Sequence, residues 1–176
     1  MKNILSFFIA AISFSFLVIS CDGTTSVKDE ASLLNLNTIQ NEVGYSWFYM
    51  EAERYEPDPD IIAQIKAVFD PQMHSFLTFS EPSCSCGSRN ATFSHFIKVL
   101  LEADVPESNI TMYSLQNPET EHPYSDVVDF NALPQFYVLK DTTIIMDVQK
   151  EKSDFAVQNP DDTITYEELI LEALTR

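Results

Sequence analysis

Phe76-Leu77-Thr78-Phe79-Ser80-Glu81-Pro82-Ser83-Cys84-Ser85-Cys86-Gly87-Ser88-Arg89-Asn90-Ala91-Thr92-Phe93 is the stretch whose reading decides the fold. Ser75 to Ser80 is short and apolar enough for a buried strand, and Glu81-Pro82-Ser83 supplies turn chemistry. From Phe93 the period changes. Phe93, Phe96, Ile97, Leu100 and Leu101 recur at i, i+3, i+4, i+7 and i+8, the pattern of an amphipathic helix laid on a sheet. Two thiols one residue apart thus stand at a strand-to-helix junction. There the backbone N-H groups of the helix stabilise a thiolate, so redox and metal chemistry are both open.

Working outward, Asp58-Pro59 reads as an N-cap with proline at the first helical position, and Ile61, Ile62, Ile65, Val68 and Phe69 share one helical face. Asp70-Pro71 closes that element. Val43, Tyr45, Trp47, Phe48 and Tyr55 supply aromatic bulk for a core. Downstream, Ile110 to Leu115 reads as a strand, and a polar, acidic, proline-containing loop runs from Asn117 to about Asp126. Gln135 to Leu139 and Thr143 to Val148 form an antiparallel pair across Lys140-Asp141-Thr142, and Thr165-Tyr166-Glu167-Glu168 is a capping box for a last helix. The predicted order is helix, strand, helix, three strands, helix: an α/β three-layer sandwich with a central mixed sheet flanked by helices.

The 176 residues, 45% of them hydrophobic, suffice for one domain and one core. A formal charge of -17 repels phosphate backbones and anionic surfaces, which argues against nucleic-acid binding. The N-terminus reads differently. Lys2 precedes an apolar run from Ile4 to Ile19, too short for a comfortable membrane span and typical of an export signal. Leu17-Val18-Ile19-Ser20-Cys21 resembles a bacterial lipobox. The resemblance implies a lipoprotein signal peptide over residues 1–20, a lipidated Cys21 as mature N-terminus, and an envelope protein facing the periplasm or exterior. The polar stretch 21–38 is expected to be a flexible tether, and the domain is expected over 39–176.

With Cys21 acylated, the chain's three cysteines leave one pair, Cys84 and Cys86. In an oxidising compartment a bridge across so small a ring is strained and readily reduced, which favours exchange over stapling.

From about Tyr45 to Leu174 the chain resembles the thioredoxin-like superfamily. The resemblance rests on the cysteines after Phe76 to Phe79, on Ala132-Leu133-Pro134-Gln135-Phe136-Tyr137-Val138-Leu139, and on the hairpin and terminal helix that follow. It implies thiol-disulfide exchange with exported protein thiols or disulfides, and a cis peptide at Pro134 lying against the reactive sulfur. Cys86-Gly87-Ser88-Arg89 and His95-Phe96-Ile97-Lys98-Val99-Leu100 align without a gap on bacterial members that carry a Trp-Cys-Gly-Asp-Ser motif, and this register makes Cys86 the nucleophile. Counting from the strand makes it Cys84. Arg89 stands where a thioredoxin has its second cysteine and can assist a thiolate one turn away, so the expected catalytic set is Cys86, Cys84, Pro134 and Arg89. The strand offers Thr78 and Ser80 in place of the family's buried acid, and Glu81 is the nearest carboxylate.

No cofactor is implied, and a monomer is expected. Two alternatives stand beside exchange. One is a redox-inactive thioredoxin-fold binding module. The other is a copper or zinc chaperone, in which Cys84 and Cys86 join His95 or His122 as soft ligands.

Overall fold

The computed structural model describes residues 30–83 and 88–176, with the side chains of residues 88–90 set aside. Among the described residues, five strands form one mixed sheet: β1 (Ser32–Leu33), β2 (His74–Ser80), β3 (Ile110–Ser114), β4 (Gln135–Lys140) and β5 (Thr143–Asp147), in the order β1-β3-β2-β4-β5. Central β2 runs parallel to β3 and antiparallel to β4, with Phe76 beside Ile110 and Phe79 beside Gln135. The parallel step needs a crossover. That crossover is α3 (Ser88–Glu102), and α1 (Phe48–Ala52), α2 (Pro59–Val68), α4 (Val148–Gln158) and α5 (Tyr166–Thr175) complete the helices.

Helix boundaries follow local chemistry. The Asp58 carboxylate accepts from the backbone N-H of Asp60 and Ile61 ahead of α2, with Pro59 at the first helical position. Thr165 and Glu168 make the reciprocal capping box of α5. Ile62 and Ile65 of α2, Phe93, Phe96, Ile97 and Leu100 of α3, and Leu169, Ile170 and Ala173 of α5 enter one cluster with Phe76, Met112, Phe136 and Val138 of the sheet. At its centre the Phe96 and Phe136 rings stack at 4.4 Å and 4°. Tyr166 meets both edge-on, an arrangement favoured by the ring quadrupoles. Leu101, read as part of the inner face, is 36% exposed, and Val99 is buried in its place.

The opposite face is covered otherwise. Leu77, Phe79, Tyr113, Tyr137 and Leu139 cluster with Val128, Phe130 and Leu133, and no helical side chain among the described residues joins them. Apart from a single bridge at Glu121, the chain between β3 and β4 has neither helix nor strand. Among the described residues the layers are therefore helices, sheet and loop, with helices on one side of the sheet rather than on both.

Two elements depart from the expected order. The tether expected over 21–38 ends sooner: β1 pairs with β3, Leu34 N-H donates to Met112 O at 2.9 Å, and Leu34 and Leu36 are buried. The domain has begun by Glu30, not at Ile39. Between β5 and α5 the sequence reading had no element, yet α4 is there. Its N-cap Asp147 accepts from Lys150 N-H, and Val148 is its only fully buried side chain. A helix so polar carries no apolar period to announce it. No described helix is long and apolar enough to cross a membrane.

Candidate functional site

The chain leaves β2 at Ser80 and re-enters regular structure at Ser88, the start of α3. Cys84, Cys86 and Gly87 lie outside the described residues, as does Cys21. Arg89 belongs to the first turn of α3.

Pro134 stands at the entrance to β4. Since Phe79 pairs with Gln135, Pro134 faces the end of β2 from which the cysteine segment departs. The Leu133–Pro134 peptide bond is cis, the geometry the resemblance implies for this proline. The Pro134 carbonyl accepts from Gln149 Nε2 at 3.1 Å, so α4, the helix without a sequence signal, steadies this corner.

Beneath the junction on the helix side lies a buried group of hydroxyls. Tyr45 Oη donates to Ser114 Oγ at 2.9 Å and lies 2.9 Å from Ser80 Oγ. Burial pushes the Tyr45 phenol above its ordinary range, with the Glu81 charge adding to the shift, so the group stays neutral near pH 7. Thr78 is buried on the same face of β2, and its Oγ1 has no hydrogen-bond partner among the described residues. Neutral hydroxyls thus occupy the end of β2. They can orient and pass a proton but not hold a negative charge as a carboxylate does. Glu81, the nearest carboxylate, is half-buried at the start of the departing segment.

That segment is anchored from upstream. Ser83 N-H donates to Gly44 O at 3.1 Å, and Trp47 Nε1 lies 2.6 Å from Gly44 O and 3.2 Å from Ser83 O. Beside this anchor opens a groove of about 700 Å³, lined by Ser32, Leu34, Val43, Tyr45, Ser83 and Ser114.

A buried carboxylate does exist, away from β2. Glu167, 3% exposed in the first turn of α5, accepts from Tyr55 Oη at 2.5 Å and from Asp58 N-H at 3.2 Å, tying the start of α2 to the start of α5. Burial, and then the bond to Glu167, drive the Tyr55 phenol well above its usual range. The only sequence signal was a second acid inside the capping box. Its burial could not be read from a helix terminus where acids are ordinarily solvated.

The histidines proposed as metal ligands are held apart. His95 of α3 stacks on Tyr55 at 4.4 Å and 11°. His122 lies across the sheet, 4.5 Å from Phe79 and stacked at 11° on Phe130, with Nδ1 accepting from Tyr124 N-H. Burial lowers the pKa of each.

No family model, curated protein or solved structure matches this chain. In sequence Cys84 and Cys86 fall between β2 and α3, with Pro134 across the register from the end of β2 and neutral hydroxyls at that end.

Proposed function

We propose that the chain is a lipid-anchored envelope protein of thioredoxin-like fold whose Cys84 and Cys86 carry out thiol-disulfide exchange on exported proteins. The observation that supports this most is topological. The segment joining β2 to the N-terminus of α3 contains both thiols, and Pro134 enters the adjacent strand opposite its departure point. In the reaction, the Cys86 thiolate attacks one sulfur of a substrate disulfide and the other substrate sulfur leaves as thiolate, which takes up a proton. Cys84 then attacks the mixed disulfide and releases the second substrate thiol. The substrate gains two electrons and the pair becomes a disulfide.

Titration of the full chain against a glutathione redox buffer tests this reading. A reversible two-electron couple, with mixed disulfides trapped in Cys84→Ser and not in Cys86→Ser, is expected. Absence of both a couple and a trapped partner rejects exchange. Anchoring is checked separately by radiolabelled fatty-acid incorporation, expected in the wild type and lost in Cys21→Ser.

The binding-module reading draws support from the hydroxyls of Tyr45, Ser80 and Ser114, where a carboxylate would serve proton transfer better.

A further inference from the structure

A groove opens between the chain that joins α1 to α2, one face of α2 and the C-terminal half of α3. It encloses about 470 Å³, within the range of sites that take a drug-sized or short-peptide ligand. Tyr55, Pro57, Pro59 and Ile62 supply its apolar wall. That wall is fixed in advance of any ligand. The Tyr55 ring stacks on His95 at 4.4 Å and 11°, its hydroxyl is tied to buried Glu167, and each proline locks its own φ. Little ordering remains to oppose binding.

Charge decides what the groove takes. Lys66 and Lys98 line it, but Lys66 is paired with Asp104 at 2.7 Å and Lys98 with Glu102 at 2.6 Å. Arg54, close by in the chain, is paired with Glu51 at 2.5 Å. Burial lowers the pKa of His95, which leaves that ring neutral near pH 7. Glu53 and Glu56 remain. Both line the groove, both are exposed, and among the described residues neither has an ion pair. Two unmatched carboxylates beside an apolar wall, on a chain of formal charge -17, complement a cation carried next to apolar bulk and repel an anion.

We propose that this groove binds a peptide segment in which a Lys or Arg side chain adjoins an apolar or aromatic one. The cation meets Glu53 and Glu56, and the apolar group packs on Tyr55, Pro57, Pro59 and Ile62. The site uses neither Cys84 nor Cys86 and stands whether or not the chain exchanges disulfides.

Calorimetric titration of the full chain with acetyl-Phe-Arg-Leu-amide tests the proposal, with amide NMR to locate the contact. Saturable binding is expected, with shifts centred on Tyr55, Ile62 and Lys98. The double variant Glu53→Gln/Glu56→Gln changes exposed side chains only and should weaken binding about threefold to tenfold. Glu119→Gln/Asp161→Asn removes the same formal charge from exposed positions outside the groove and should leave affinity within about twofold. Acetyl-Gly-Arg-Gly-amide, which lacks the apolar groups, should bind at least about tenfold more weakly. No saturable binding, shifts centred elsewhere, equal losses in the two double variants, or equal affinity for the glycine peptide each overturns the proposal. Sedimentation of the chain alone is expected to show a monomer. A dimer that the peptide dissociates would assign the groove to a second copy and overturn the peptide reading.

Discussion

On one face of the sheet Phe76, Met112, Phe136 and Val138 meet α2, α3 and α5; on the other, Leu77, Phe79, Tyr113 and Tyr137 meet a segment with neither helix nor a strand of the sheet. The helical face gains its order from repetition, each helix returning an apolar side chain to the same surface every turn. The loop-covered face depends on convergence. Phe79 collects Tyr113, Tyr124, Phe130, Tyr137 and His122 around one ring. A periodic face resists the loss of its geometry, because neighbouring turns hold the gap open. A convergent face can close over a deletion by moving its loop.

The sharpest way to break this comparison is a pair of truncations. Phe96→Ala removes a fully buried ring between Phe136 and Tyr166 and should cost about 4 kcal/mol in urea denaturation. Phe130→Ala removes a ring from the loop side and should cost about 2 kcal/mol, since the surrounding segment can collapse into the space. Equal costs would mean that the loop is as rigid as the helices.

A smaller effect is expected from the polar tie on the helical face. Glu167→Gln keeps the shape but weakens the acceptor for Tyr55 Oη and Asp58 N-H, for an expected loss of about 1 to 2 kcal/mol. Glu167→Leu should cost more, because both donors are then left without that acceptor. A neutral outcome for both variants would place the stability of that face in its apolar contacts alone.

The finest probe is pH. Burial lowers the pKa of His122 on the loop side and of His95 on the helical side, as it does for His74, whose Nδ1 accepts from Asp70 N-H. A folded-state pKa below the unfolded value means that the unfolded chain binds the proton more tightly. Stability is then full above the unfolded value near 6.5, declines as pH drops below it, and levels off below the folded values. Each histidine contributes at most about 1.4 kcal/mol per pH unit. His122→Phe keeps a ring against Phe79 and Phe130, and should flatten the slope between pH 6.5 and pH 5 in denaturant titrations. An unchanged slope would assign the acid response to the other face.

The same contrast explains what could be read from the chain. β2, α3, β3, the β4–β5 pair and α5 carry period-two or period-3.6 patterns, or caps, and stand close to where those patterns put them. β1 is two residues long and α4 buries little, so neither had a period to show. The loop-covered face was invisible for a different reason: Val128, Phe130 and Leu133 are joined to Phe79 by tertiary convergence, which no local rule encodes. At the site, Pro134 was legible because a proline at the head of a strand demands explanation. Trp47 was read as core and is core, at 2% exposed, whereas the close approach of Gly44 to Pro82, thirty-eight positions away, had no local signal.

Two turns bear on the unfolded chain. Asp104, just past α3, and Asp141, in the turn between β4 and β5, both adopt positive φ, at 58° and 56°, where glycine is the usual choice. The whole chain has three glycines. An aspartate in such a turn strains the native backbone slightly, yet it leaves the denatured ensemble fewer conformations to lose, an offset of about 0.4 to 1 kcal/mol per site. Asp104 also meets Lys66 at 2.7 Å, whereas a glycine would present no charge. The turns of this protein thus curb the disorder of its denatured form while adding to the self-repulsion that keeps denatured copies apart.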